Sequence, residues 1–454
     1  MNEKIFKAYD IRGIYPTEIN EQDVYRITKA YCQFLKPKKI VIGCDVRFSS
    51  PALKKAAIKA VTELGIGVAD VGTISTDMLY FAVADGGYDG GFSITASHNP
   101  KEYNGIKFVR EQSKPISSDT GLFEIRDLAM QNDSEIPDFD LTKNEKILVE
   151  QKNIKDGYLT KIKTFADFSK FKELRIVANA NFGMAGKAMK KLLSGTNIKI
   201  IPLNFEPDGN FPKGRPDPLI PQNREEISKR VAEEKADLGV AWDADADRCF
   251  FFTEKGEFIE GYFITALLAK IFLEKSSGAK IIHDPRLIWA IKDTASQNGG
   301  RNIISKSGHS FIKEKMRLED AIFGGEMSAH YYFRDYWYCD NGMIPLVMIL
   351  EFLSTQTKTF SEIMNELFWQ KYFVSGEINN EVPDVKVALE KAEKKYSSES
   401  PVVNKIDGLS MEFSQWRFNL RGSNTEPVIR LNVEAKTKEL MEQKRDELLV
   451  LIHS

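Results

Sequence analysis

Residues 39–71 read KIVIGCDVRFSSPALKKAAIKAVTELGIGVADV. The opening KIVIGC is apolar and rich in β-branched residues, as a buried strand requires. From 51 to 64, apolar side chains return at Leu53, Ala56, Ala57, Ala60, Val61 and Leu64, the spacing of one helix face. Gly65 ends that helix, and residues 68–71 begin a second strand. The stretch is one βαβ unit, and strands joined by a helix lie parallel.

The same rhythm recurs twice without a strict sequence repeat. Residues 174–178 (LRIVA) read as a strand, 186–193 as a helix and 198–203 as the next strand. Further on, 262–274 is helical, with Ile264, Leu267, Leu268, Ile271 and Phe272 on one face, and 279–283 is a strand. The last ninety or so residues differ. There 411–419 and 428–435 read as strands, and Thr437 caps a terminal helix that runs to 452. The expected fold class is α/β: three similar mixed or parallel α/β domains plus a smaller C-terminal α+β domain. A chain of 454 residues has room for this. The expected domains are 1–144, 145–251, 252–364 and 365–454. Three polar stretches punctuate the chain: a linker at 131–146, a loop at 206–223 that holds five of the 17 prolines, and a loop at 394–405.

Composition narrows the function. Sixty-three basic residues balance 65 acidic ones, which argues against binding nucleic acid through bulk basicity and against an acidic tail. Cys32, Cys44, Cys249 and Cys339 lie far apart and form no C-x-x-C, so they read as free thiols rather than a zinc site or disulfides. The longest apolar stretches, 262–273 and 342–353, are too short for a membrane span. No apolar run follows the opening Met-Asn-Glu-Lys, so no signal peptide is expected and the location expected is the cytoplasm.

Four polar clusters carry chemistry. TASHNP at 95–100 follows an apolar run, and Pro100 turns the chain away from helix. Ser97 therefore sits at a strand end, where it can act as a nucleophile or carry a phosphate. DADADR at 243–248 alternates Asp243, Asp245 and Asp247 with alanines. In an extended chain these carboxylates share one side, where they repel unless a cation lies among them; oxygen ligands favour Mg²⁺ or Ca²⁺. GGEMSAH at 324–330 alternates Glu326, Ser328 and His330. A carboxylate and a hydroxyl on one face suit pairs of sugar hydroxyls, whereas a lone histidine such as His330 is more often structural than catalytic. RGSNTEP at 421–427 offers an arginine fork and neutral donors to a phosphate. Singly, each is also what an ordinary polar turn looks like; together they suggest phosphoryl transfer on a sugar phosphate.

In this order and spacing the clusters resemble those of the α-D-phosphohexomutases, and most closely the bacterial phosphomannomutase/phosphoglucomutase branch. The resemblance begins at KAYDIRG, residues 7–13, and extends to Pro427. It implies that four domains surround a central cleft that holds the active site. It also implies that Ser97 is a phosphoserine, and that Asp243, Asp245, Asp247 and a Ser97 phosphate oxygen hold Mg²⁺. Arg248 contacts that phosphate. Lys107 and His309 form the proton-transfer pair, and Glu326 and Ser328 grip the sugar's O3 and O4. Tyr9, Arg286, Arg421, Ser423, Asn424 and Thr425 bind the phosphate that is not reacting, and Arg12 and His330 complete the substrate-binding set. The reaction implied is interconversion of hexose 6-phosphate and hexose 1-phosphate through a hexose 1,6-bisphosphate, which also serves as activator. The expected state is a monomer whose partners are small sugar phosphates, with no nucleic acid and no membrane.

This chain departs from the family at Ala244, Ala246 and Ala329, where glycine is usual and supplies positive φ. Met327 and Asn424 resemble the mannose/glucose branch rather than the glucosamine branch. Gripping O3 and O4 leaves C2 unread, so dual specificity is expected. Two rival readings stand beside this one: a Mg²⁺-dependent phosphatase with the first aspartate as nucleophile, and a sugar-phosphate-binding protein without catalysis.

Overall fold

The strand Lys39–Cys44 lies parallel to Gly67–Thr73 on one side and to Gly90–Ile94 on the other. Val149–Gln151 continues the parallel set, while Tyr103–Arg110 runs antiparallel beside Gly90–Ile94 and pairs with Ile11–Ile14. The helix Ser50–Glu63 completely buries Leu53, Ala56, Ala57, Ala60 and Val61 of the predicted stripe, whereas Leu64, one residue past its end, is exposed. Removing a side chain such as Leu53 from water contributes on the order of 1.5–3 kcal/mol.

The computed structural model describes residues 1–136, 148–422 and 428–453. They fall into two units, Met1–Phe258 with His330–Gln356, and Ile259–Ala329 with Thr357–Ser454. The first unit holds the mixed sheet above and a second sheet. In the second, Leu174–Asn179 is parallel to Ile198–Leu203 and Leu238–Trp242, and Cys249–Phe252 returns antiparallel to the last of these. Trp242 faces Cys249 across that pair, so residues 243–248 form the connection of a hairpin. The first unit also includes the paired strands Tyr331–Phe333 and Cys339–Asp340 and the apolar helix Ile344–Ser354.

In the second unit, Lys280–His283 is parallel to Arg301–Ile304 and Phe323–Gly325, and the helices Gly261–Lys275, Trp289–Gln297 and His309–Glu319 connect with them. The C-terminal sheet is antiparallel, in the order Phe373–Val374, Val428–Ala435, Trp416–Gly422, Leu409–Glu412, Val402–Asn404, with Ile378–Glu381 also on Val428–Ala435. Helices Val385–Tyr396 and Lys438–His453 share one core with it, including Ala392, Phe418, Leu431, Val433 and Leu448. The fold class is therefore as the sequence predicts: three α/β domains and a C-terminal α+β domain.

Two local readings change. The stretch 411–419 is two strands, because the chain turns after Glu412 and Phe413 N–H bonds back to the Trp416 carbonyl. The stretch 394–405 is not a free loop: the helix continues to Tyr396 and an edge strand begins at Val402. The predicted loop at 206–223 lacks helix and strand up to residue 220, as its prolines predict, and ends in the short 3-10 turn Pro221–Arg224. The linker at 131–146 falls mostly outside the described residues. All four cysteines are buried free thiols. No described helix is long and apolar enough to cross a membrane.

A polar knot lies inside the first unit. Asp77, fully buried, accepts hydrogen bonds from the Ser75 hydroxyl, from Met78 N–H at 2.9 Å and from the Tyr158 hydroxyl at 2.6 Å. Asn341 Nδ2 donates to Tyr158 at 3.4 Å, and Tyr336 donates to the Asp77 carbonyl at 2.8 Å. Burial pushes the Asp77 carboxyl up to about 7. A raised carboxyl keeps its proton longer in the folded chain than in the unfolded one. Its stabilisation is complete below pH ~4 and is lost as pH rises through ~7. Stability measured by urea unfolding should thus fall by about 1.4 kcal/mol per pH unit between these limits on account of this group. Asp77→Asn should remove that part of the slope; equal slopes in the two proteins would mean that Asp77 does not titrate there.

Candidate active site

The loop after Gly90–Ile94 is held by its backbone. Ser97 takes a left-handed conformation, φ 51°, and its N–H donates to Thr95 Oγ1 at 2.9 Å. Arg47, fully buried, gathers the loop's carbonyls. Its Nη2 donates to Ser97 O (2.6 Å) and Asn99 O (2.7 Å), and its Nη1 to Pro100 O (2.6 Å) and Tyr103 O (3.0 Å). Its Nε reaches Asp45 at 3.1 Å. Arg12 braces the same loop: Nη1 donates to Asn99 Oδ1 at 2.6 Å while Nε and Nη2 hold Asp10 Oδ2. Ser97 Oγ ends 3.5 Å from Asp243 Oδ2 and 3.1 Å from His98 Nδ1.

The acidic cluster converges by a different route from the one expected. Residues 243–248 do not run extended; the chain turns, and Ala246 adopts φ 57°, the glycine-like conformation. One ligand oxygen from each of Asp243, Asp245 and Asp247 nevertheless lies within 4.8 Å of the others, and all three residues are buried. Lys107 Nζ bridges Asp245 Oδ2 (2.7 Å) and Asp247 Oδ2 (2.6 Å). Arg248 Nε donates to Asp243 Oδ2 at 2.8 Å, and its Nη1 lies 3.5 Å from Asp217 Oδ1. Burial drives the Asp243 carboxyl well above its usual range, more than Arg248 can offset. For Asp245 and Asp247, burial pushes the same way, but Lys107 and the other donors outweigh it and hold both low. Lys107 is in turn held cationic by these two carboxylates against its own burial. Asp245 Oδ1 is buried without a hydrogen-bond donor, and Asp247 Oδ1 faces His330 Nε2 at 3.5 Å. Three convergent carboxylates with an oxygen left over in this way fit a hard divalent cation.

His330, expected beside Glu326 and Ser328, lies against the acidic turn: Nε2 is 3.5 Å from Asp247 Oδ1 and its backbone pairs with Arg248. The alternation fails because 326–329 is a turn, closed by Ala329 N–H to Glu326 O, with Ala329 at φ 63°. Ala244 keeps negative φ, so of the three departures from glycine only Ala246 and Ala329 carry the left-handed conformation.

In the second unit Arg286 is the hub. It grips Asp284 with Nε (3.0 Å) and Nη2 (2.9 Å), and Nη2 reaches Ser328 Oγ (3.4 Å) and Glu326 Oε1 (3.6 Å). Glu326 Oε1 also accepts from Gly308 N–H at 2.7 Å, which ties it to the start of the helix whose first residue is His309. Lys313 Nζ is 3.4 Å from His309 Nδ1. Arg421 and Arg430 face each other across paired strands, an arrangement of like charges that repels. Glu377 lies between them, 3.3 Å from Arg421, 3.5 Å from Arg430 and 3.4 Å from Arg286. Arg286 is also held by Asp284, whereas Arg421 and Arg430 share Glu377, and guanidinium forks gathered in this way suit a phosphate. Ser423, Asn424 and Thr425 lie outside the described residues. Tyr9 is half-buried in the first unit.

Arg47, Asp217, Glu377 and Arg430 belong to these sites but escape a reading by clusters. A buried-type arginine in Asp45-Val46-Arg47, next to a helix start, was the available signal for the first. For the others nothing local marks the pairing.

Family models match the chain in sequence order. They are the phosphoglucomutase/phosphomannomutase alpha/beta/alpha domains I (residues 3–135), II (156–256) and III (260–372) and the C-terminal domain (377–450). A phosphomannomutase of Escherichia coli (strain K12) is 46% identical over 454 residues, covering 99% of this chain and 98% of that one. Phosphohexose mutases of Xanthomonas campestris are 44% identical over 449 residues, with 98% of each chain covered. The crystal structure of a phosphoglucomutase/phosphomannomutase family protein from Burkholderia thailandensis superposes with a TM-score of 0.87 at 27% identity, covering 99% of this chain and 97% of that one. The chain belongs to the phosphoglucomutase/phosphomannomutase family.

Proposed function

We propose that the protein is a phosphomannomutase/phosphoglucomutase, an isomerase that interconverts hexose 6-phosphate and hexose 1-phosphate. The observation that carries this reading is Ser97 Oγ set 3.5 Å from Asp243 of a buried aspartate trio, in which Asp245 Oδ1 lacks a donor. Phosphorylated Ser97 gives its phosphoryl group to the free hydroxyl of the hexose monophosphate. The P–Oγ bond breaks, a bond to the sugar oxygen forms, and the hydroxyl's proton leaves to a base. The product is the 1,6-bisphosphate. After it reorients, Ser97 takes back the other phosphoryl group. Asp243, Asp245 and Asp247 would hold Mg²⁺, which supplies charge neutralisation at the phosphoryl oxygens. Arg248 adds a fixed cation beside Ser97. Lys107 and His309 would form the proton-transfer pair.

Glu326 and Ser328 would bind sugar hydroxyls, with Met327 and Asn424 favouring mannose and glucose over glucosamine. Tyr9, Arg12, Arg286, Arg421, His330 and residues 423–425 would complete substrate binding, and hexose 1,6-bisphosphate would rephosphorylate stranded Ser97. We read it as a monomeric cytoplasmic enzyme; the four free thiols suit a reducing cytoplasm. Turnover assays with mannose, glucose and glucosamine 1-phosphates test the substrate, and intact mass for one added phosphate tests the covalent form.

The arginine pocket gives a separate expectation. Arg421→Ala removes charge-assisted bonds worth ~1.5–3 kcal/mol, roughly tenfold to a hundredfold in affinity. Efficiency should fall alike in the 1-phosphate and 6-phosphate directions, since one pocket serves both. Dependence on added bisphosphate should rise as more intermediate escapes. Unchanged steady-state kinetics, with and without activator, would reduce the C-terminal turn to a plain hairpin connection.

A further inference from the structure

The helix Thr76–Asp85 begins against the acidic turn of residues 243–248. Thr76 is its first residue, and its backbone N–H is one of the donors that a helix start leaves unpaired. That N–H donates to the Asp245 carbonyl at 3.0 Å, and the Thr76 hydroxyl donates to Asp245 Oδ2 at 2.6 Å. The two residues are 169 positions apart in sequence, and both are buried.

We infer that Thr76 is a positioning residue that fixes which oxygen of Asp245 is offered to a divalent cation. The inference rests on reading the Asp243–Asp245–Asp247 cluster as a cation site. An ionised carboxylate only accepts, so the Thr76 hydroxyl must donate. Oδ2 then has two donors, Thr76 and Lys107 Nζ at 2.7 Å. Oδ1 has none and is buried. The asymmetry sets the carboxylate's rotation: Oδ2 is committed to the protein, and Oδ1 is the oxygen left for the ion. The backbone bond fixes the main chain at the same residue, directly before Ala246 with its left-handed φ of 57°. Partners of this kind typically tune metal affinity by about 10- to 100-fold.

The test uses the full-length protein stripped of metal and titrated with Mg²⁺ by calorimetry and with Mn²⁺ by electron paramagnetic resonance. Thr76→Val keeps the shape and the backbone bond but removes the hydroxyl donor; Thr76→Ser keeps the donor. The expected result is a cation Kd raised about 10- to 100-fold in Thr76→Val and close to wild type in Thr76→Ser. Excess Mg²⁺ should restore turnover of Thr76→Val with an unchanged KM for the sugar phosphate, which a general folding defect would not allow. Should valine disturb folding, Thr76→Ala removes the same donor with less bulk. Wild-type affinity in Thr76→Val, or equal loss in Thr76→Ser, overturns the inference while leaving the cation site standing. Absence of cation uptake by the wild-type protein overturns the cation reading itself and the inference with it.

Discussion

Ser97→Ala is expected to lose mutase turnover by at least about a thousandfold, because no other group can hold the phosphoryl between the two half-reactions. The loss should lie in kcat, since Ser97 forms no part of the arginine pocket around Glu377. The loop itself should survive: Arg47 grips carbonyl oxygens at 97, 99, 100 and 103, and alanine keeps all of them. The left-handed backbone at 97 makes alanine somewhat strained there, so Ser97→Gly is the companion variant. Steady-state assays with added bisphosphate decide. Near-normal turnover of both variants would sink the covalent mechanism. Steady release of inorganic phosphate by them would favour the rival phosphatase, in which an aspartate is the nucleophile.

Exhaustive chelation is the second large effect. Lys107 and Arg248 are already committed to the three buried carboxylates, so a phosphoserine beside them brings negative charge that a bound cation would offset. Bringing a phosphorylated serine up to such a site without a cation is unfavourable by several kcal/mol, so turnover should fall at least about a hundredfold and return with Mg²⁺. Asp245→Asn should depress the rate at limiting Mg²⁺ and less so at saturating Mg²⁺, since it weakens binding rather than removing the site. A rate indifferent to chelation would mean that the cluster is not a catalytic metal site.

The parts of the molecule legible from sequence are those whose cause is local. Apolar spacing at Leu53, Ala56, Ala57, Ala60 and Val61 predicted both a helix and its buried face, because periodicity and burial have the same origin there. The clusters at 95–100 and 243–248 were legible because neighbouring residues supply the chemistry. The convergence of the aspartates was anticipated for a reason that does not hold: alternation in an extended chain was expected, and a turn through Ala246 does the work. Polar, lysine-rich sequence obscured the helix that runs to Tyr396, although Ala388, Ala392 and Tyr396 make its buried stripe. Thr76 and Glu377 could not be read at all, and the partners of Arg47 on the loop after residue 96 could not be read either. Their partners lie dozens of positions away or more, and no local pattern encodes a contact at that separation.

The first unit is assembled from two stretches of chain, Met1–Phe258 and His330–Gln356, and this has a consequence during synthesis. The Trp242 indole donates to Gly342 O, the Asp77 knot needs Tyr336 and Asn341, and Asp247 meets His330. A ribosome adding about 5–20 residues per second delivers those partners several seconds after residue 258 has emerged. Through that interval a nascent chain carries the Trp242 indole and the Asp77 carbonyl without Gly342 O and the Tyr336 hydroxyl, which later pair with them. The unit closes only when residues 330–356 arrive, so a stop codon or a pause placed between 258 and 330 yields an incomplete unit rather than a smaller working one.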